Sequence, residues 1–160
     1  MAKKRYVIFS LILILLLTVA CSAQNERGKN WVIFSEAQAK ELGIADWFAA
    51  NGETTGYWTP AEENVLAIEN GVTAFLQANS DQFRSQGAPV GEKLDDYNRQ
   101  YLGITLGERR IVYANFFCAS FGTDWQTEFV IVMDGGACFF QFMYDADSGE
   151  FFNLQVNGDA

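Results

Sequence analysis

The chain has 160 residues, with 11 Lys and Arg against 20 Asp and Glu, three cysteines and no histidine. Lacking histidine, it has no Ser-His-Asp or Cys-His nucleophile arrangement, no imidazole acid/base for neutral pH and no imidazole ligand for zinc or copper. A formal net charge of −9 opposes the counterion release that drives binding to phosphates, so no nucleic-acid partner is expected.

The first element is an export signal. Lys3, Lys4 and Arg5 form a positive start, and the almost wholly apolar run Tyr6–Ala20 follows; it is too short and wrongly flanked for a membrane span. Val19-Ala20-Cys21 resembles the lipobox of bacterial lipoproteins, although Thr18 stands where that pattern usually has Leu. The resemblance implies that Cys21 is lipidated, becomes the mature N-terminus and anchors the protein to the cell membrane or outer membrane; secretion or a soluble periplasmic form is the alternative. Residues 1–20 are thus read as signal peptide, 21–30 as tether and 31–160 as one domain. Only eight basic residues follow the signal, against all 20 acidic ones, so the mature net charge is about −12. No cofactor is expected.

Ser22–Asn30 is polar and short enough to serve as a tether. Ser35 and Gln38 have capping-box spacing, predicting a helix over Glu36–Leu42 that stops or kinks at Gly43; Ile44–Ala50 resumes it and Asn51-Gly52 ends it. Thr59-Pro60-Ala61-Glu62 predicts a second helix from Pro60, with threonine as cap, proline in the first turn and glutamate closing the box. Along it Val65, Ile68, Val72 and Phe75, joined by Leu66 and Leu76, form an apolar stripe, while Glu62, Glu63 and Glu69 face water. Gly71 within this run costs helix propensity and marks close packing.

From Asn79 to Lys93 the chain reads as a loop with one helical turn around Gln82, and Asp95–Tyr101 as another short helix. The apolar period then changes to two. Leu102–Leu106 and Arg109–Cys118 flank Gly107-Glu108, a hairpin turn with glycine first. Further strands are expected at Glu128–Met133, Ala137–Tyr144 and Phe151–Val156. Helices first and strands later give an α+β class, an antiparallel sheet with the Pro60 helix on one face.

With Cys21 taken by lipid, Cys118 and Cys138 remain, and an oxidising compartment favours their pairing. Bridged α-carbons lie within about 7 Å. A disulfide therefore requires the strands ending at Cys118 and beginning near Cys138 to be direct antiparallel neighbours, with Ala119–Gly136 as a long excursion; two buried thiols are the alternative. Asp145-Ala146-Asp147-Ser148-Gly149-Glu150 starts like a calcium loop, but Val156 stands where an EF-hand needs its bidentate acid, so a hairpin turn is the better reading. Asp134-Gly135-Gly136 is a turn whose glycines also leave room for a ligand or partner at the backbone. Around Gln141, Phe139 and Met143 occupy one side of a strand and Phe140, Phe142 and Tyr144 the other. One face takes the helix. The other needs a cover, internal in the preferred reading, with a second protein or an apolar ligand as alternatives. Trp47, Trp58 and Trp125 are read as core or rim residues.

The series GYWTP at Gly56–Pro60, RRIVYANFFC at Arg109–Cys118, DGGACFF at Asp134–Phe140 and YDADSGEFFNLQVNG at Tyr144–Gly158 resembles a family of uncharacterised bacterial exported proteins and lipoproteins. That resemblance implies export, a small α+β domain and a Cys118–Cys138 bridge, and carries no activity. The layout of one long helix before an antiparallel sheet is also similar to cystatin-like and nuclear transport factor-like folds, in architecture only. Function is expected to be non-catalytic: a membrane-anchored lipoprotein that binds or modulates an envelope component. The alternatives are an inhibitor of an extracellular hydrolase, and a glycan hydrolase using two of Asp95, Asp96, Asp124 and Glu128.

Overall fold

The computed structural model describes residues 30–44 and 55–158. The signal, Cys21, the tether, Trp47 and the expected continuation of the first helix to Asn51-Gly52 lie outside the described residues. Among those described, no helix is long and apolar enough to cross a membrane.

The elements are β1 (Trp31–Ile33), α1 (Glu36–Leu42), β2 (Thr55–Trp58), α2 (Glu62–Ala78), β3 (Asn98–Leu106), β4 (Arg109–Phe117), β5 (Phe139–Asp145) and β6 (Phe151–Val156), with 3₁₀ turns at Ser80–Gln86, Gly91–Asp96 and Gly136–Cys138. The class is α+β. Strands β3 to β6 form an antiparallel run, and the far edge of β3 is shared end to end by β1, parallel at Trp31↔Arg99, and β2, antiparallel at Trp58↔Gly103. The Gly107-Glu108 hairpin forms as expected, with Leu106 opposite Arg109 and Gly107 at φ 59°.

The helix caps differ from expectation in one respect. Ser35 and Gln38 make the expected box, and Gly43 ends α1 in the left-handed conformation. Helix α2, however, begins at Glu62 and not at Pro60, and Thr59 does not cap it. The Thr59 hydroxyl instead accepts the Glu36 amide of α1 at 2.8 Å, and the Asn64 side chain reaches back to accept the Ala61 amide at 2.9 Å. Thr59 sits just past β2, close enough to α1 to satisfy an amide that has no partner within its own first turn.

One sheet face carries α2. Val65, Ile68, Val72 and Leu76 are buried against Tyr101, Val112, Ala114, Phe116, Phe140, Phe142 and Tyr144; each such aliphatic side chain contributes about 1.5–3 kcal/mol relative to exposure. Gly71 does mark a close approach, since a β-carbon there would stand 2.8 Å from the Phe151 ring. Leu66, expected on the stripe, is half exposed. Glu69, expected in water, instead lies 3.2 Å from Arg99 Nε and accepts the Tyr101 hydroxyl. Arg99 is buried, its remaining nitrogens donating to the carbonyls of Tyr97 and Leu94, and its guanidinium lies over the Phe116 ring.

That buried arginine explains the failure of the short helix expected over Asp95–Tyr101. The helical turn falls earlier, at Gly91–Asp96, and β3 starts at Asn98. Arg99 and Gln100 are both interior groups, buried on opposite faces of the sheet with partners there, so the segment runs as a strand.

The second face is covered from within, as preferred. Phe34, Ala39 and Ile44 pack over Leu102, Ile104, Ile111, Tyr113 and Met143, and Val130 with Trp125 covers Phe117 and Phe139. Part of that cover is Glu128–Met133, which is not the expected strand. Trp58 is a rim residue, its indole N–H shared by the Ile104 and Ile111 carbonyls.

Cys118 and Cys138 are bridged, with α-carbons 5.1 Å apart. Strands β4 and β5 are direct antiparallel neighbours, with Phe117 opposite Phe139. The pairing requirement drawn from the cysteines therefore holds, and residues 119–135 are the excursion.

Candidate functional site

Four amide side chains stand in one row across the second face: Gln100, Asn115, Gln141 and Gln155 are successive register partners on β3, β4, β5 and β6. A β-bulge supports the end of this row. Asn153 sits at φ 53°, a conformation asparagine tolerates, and its extra residue lets Phe152 pair with Met143 while Gln155 still pairs with Gln141.

The row's first two members hold the excursion. Gln100 Nε2 donates to the carbonyls of Trp125 and Glu128, at 2.6 and 2.7 Å, and its oxygen accepts the Val130 amide at 2.9 Å. Asn115 Nδ2 donates to the Val130 carbonyl at 2.9 Å and to Gln100 at 3.1 Å. Past β6, Asn157 Nδ2 takes the carbonyls of Val132 and Asp134. The Glu128, Val130 and Val132 carbonyls and the Val130 amide are thus taken by side chains and not by a neighbouring strand, which pairs these groups without a ladder.

Between this segment and β4–β6 lies a cleft of about 650 Å³. Tyr113, Asn115, Gln141 and Gln155 form its floor, residues 129–133 its wall, and Asn153 and Asn157 complete the lining. No carboxylate, lysine or arginine is among these residues. Burial pushes the Tyr113 hydroxyl up to about 12, so it stays neutral at physiological pH. The cleft therefore offers uncharged donors and acceptors beside apolar surface. Ile131 and Met133, 58% and 82% exposed, stand at its wall, and Phe121, 77% exposed at φ 50°, stacks on Phe139 nearby.

The other sequence candidates fall elsewhere. Asp95, Asp96, Asp124 and Glu128 are all exposed, and none lines the cleft. Asp145–Glu150 is a hairpin turn, as read: the Asp145 carboxylate accepts the amides of Asp147 and Ser148 and, at 2.7 Å, Arg109 Nε. Burial pushes the Asp145 carboxyl up, but Arg109 and those two amides outweigh it, and the net displacement is downward. At Asp134-Gly135-Gly136 the group that approaches the glycine backbone is the chain's own Gln86, which also accepts the Ala137 amide at 2.7 Å. Among the described residues no cluster of acids and cysteines has the make-up of a metal site.

Sequence reasoning missed the amide row. Its signal was a lone amide amid apolar residues in each inner strand, as in Tyr113-Ala-Asn115-Phe-Phe117 and Phe139-Phe-Gln141-Phe-Met143.

Fold and cleft together define an α+β domain with a neutral, amide-floored groove on one sheet face. No family model matches this chain, and neither does a curated protein or a solved structure.

Proposed function

We propose that this chain is an exported lipoprotein, anchored through lipid on Cys21, whose domain binds another component of the cell envelope without transforming it. The observation that carries the binding half is the cleft's chemistry. Asparagine and glutamine each supply both a donor and an acceptor, and beside Tyr113 and Phe129 they suit recognition of an uncharged, hydrogen-bonding ligand. Tyr113, the cleft's titratable side chain, is held protonated far above neutral pH, a poor setting for a general base. The anchoring half rests on the sequence from Lys3 to Cys21, and the bacterial lipoprotein family that the motifs resemble supports it.

Two measurements test the halves separately. Cells given labelled palmitate should incorporate it into the wild-type chain and not into Cys21→Ser, and the variant should leave the membrane fraction. Unchanged labelling of Cys21→Ser would remove the anchor. Crosslinking in intact cells should recover an envelope component whose yield falls when Gln141 and Gln155 are replaced by alanine; yields indifferent to both would remove the cleft from the binding reading.

A further inference from the structure

We infer that the cleft takes a neutral oligosaccharide, an inference that rests on the binding reading above and not on the lipid anchor. Charge narrows the ligand first. No Asp, Glu, Lys or Arg is among the lining residues, so a charged group entering the cleft would lose its water without meeting an opposite charge there. Apart from the Tyr113 hydroxyl, the polar side chains of the lining are all primary amides: Asn115, Gln141, Asn153, Gln155 and Asn157. A primary amide offers a donor and an acceptor side by side. Two adjacent hydroxyl groups complement that pair, since each hydroxyl both donates and accepts. An acyl chain would leave the amides unpaired.

The row is oriented by the protein itself. The Val130 carbonyl can only accept, so it takes Asn115 Nδ2 at 2.9 Å, and the Asn115 oxygen is left for its neighbour. That oxygen accepts Gln141 Nε2 at 3.3 Å, which leaves Gln141 Oε1 without a donor among the described residues. At the far end Gln155 Nε2 donates to Asn153 Oδ1 at 3.4 Å, beside the bulge where Asn153 has φ 53°. Gln155 Oε1 and Asn157 Oδ1 likewise have no donor among the described residues. Gln141 and Gln155 are register partners, their α-carbons about 5 Å apart as in any antiparallel pair, so the hydroxyls along one side of a single sugar ring reach both.

The wall supplies the apolar complement. Phe129, Ile131 and Met133 line it, and a sugar ring carries hydroxyls on its edge and C–H groups on its faces, so an amide floor beside an apolar wall suits both parts of it. A volume of about 650 Å³ exceeds one ring, which makes the ligand an oligosaccharide. A peptide fits less well. The Val130 amide and the Val130 and Val132 carbonyls are already taken by Gln100, Asn115 and Asn157, so they offer an incoming backbone no ladder.

The test uses the purified full chain in a zwitterionic detergent, whose headgroup carries no sugar. It is passed over an immobilised panel of neutral oligosaccharides, plain and N-acetylated, with acidic oligosaccharides and short uncharged peptides alongside. Neutral glycans should retain the protein and acidic ones should not. For the tightest neutral glycan, the Kd measured by calorimetry should rise at least tenfold in Gln141→Ala/Gln155→Ala. The side-chain amide NMR signals of Gln141 and Gln155 should shift on titration, while that of Gln100, committed to the Trp125 and Glu128 carbonyls, should not. Gln155→Ala alone, at an exposed position on the edge strand, covers the event that the double variant fails to fold, and should weaken binding several-fold. No retention by any neutral glycan, equal retention by acidic ones, a Kd indifferent to both variants, or unshifted Gln141 and Gln155 signals would each overturn the inference. Retention by peptides alone, weakened by the same variants, would also overturn it and leave the wider binding reading standing; that reading falls only if the cleft variants leave crosslinking in cells unchanged.

Discussion

Gln100 is the residue on which the second face most depends. Fully buried, it satisfies two carbonyls and one amide of a segment that has no other backbone ladder. Gln100→Leu preserves bulk and strands those groups, for which a cost of about 2–3 kcal/mol is expected, since an unsatisfied buried group costs about 1–3 kcal/mol and part of the segment can reach water. Urea unfolding should show this loss, with exchange at Val130 accelerated more than at α2. Two other residues set the pH limits. The folded Asp145 carboxyl lies below its unfolded value of about 3.9, so its contribution is complete above that value and is lost as pH falls towards the folded one. Asp145→Asn should flatten the acid limb of the stability curve. Tyr113 is the opposite case: raised to about 12 from about 10 when unfolded, it favours the fold fully below pH 10 and ceases to as pH rises through 12. Tyr113→Phe should shrink the alkaline limb, which Tyr101, raised by its burial and then by Glu69, shares.

Among the elements, α2 and the β4–β5 pair carry most of the packing. Gly71→Ala gains about 1 kcal/mol of helix propensity but drives a methyl into Phe151, whose ring is held by Phe75 at 5.1 Å and Tyr144 at 4.9 Å. A net loss of about 1–2 kcal/mol is expected by thermal unfolding, because a ring packed on several sides cannot yield cheaply. Reducing Cys118–Cys138, which closes a separation of 20 residues, should cost about 3 kcal/mol on loop entropy and loosen residues 119–135 first. Elements whose stabilisation is local were legible in the sequence: the Ser35 box, the Gly43 stop, the Gly107 hairpin and the strand Phe151–Val156 each depend on neighbours within a few residues. Those set by distant partners were not. Thr59 has the local signature of a cap for α2 and caps α1 instead. Asp95–Tyr101 reads polar because nothing nearby tells that Glu69 awaits Arg99. Glu128–Met133 reads as a strand, but its partners are side chains on β3 and β4 and at Asn157 just past β6. The amide row was hidden for the same reason, since only register places Gln100, Asn115, Gln141 and Gln155 in line.

At the scale of the molecule, Asn30 and the excursion that walls the cleft lie at the same end of the strands. Asn30, the first described residue, accepts the Arg99 amide at 2.9 Å through its carbonyl and donates to the Tyr97 carbonyl at 3.1 Å through its side chain. This is the end at which the disulfide and the 119–135 excursion emerge. The residues between Cys21 and Asn30 span at most roughly 30 Å when extended. Under the proposed anchor, an acidic domain that an anionic lipid surface repels is thus kept near the membrane. Such an arrangement suits a partner that is itself at the membrane. The most direct test of anchored binding is photocrosslinking in intact cells from a photoreactive residue at position 155, on the cleft, and from one at Leu66 on the outer face of α2. The account predicts a discrete adduct from position 155 that Leu66 does not give and that Cys21→Ser loses. Identical adducts from both positions, or no adduct from position 155, would contradict it.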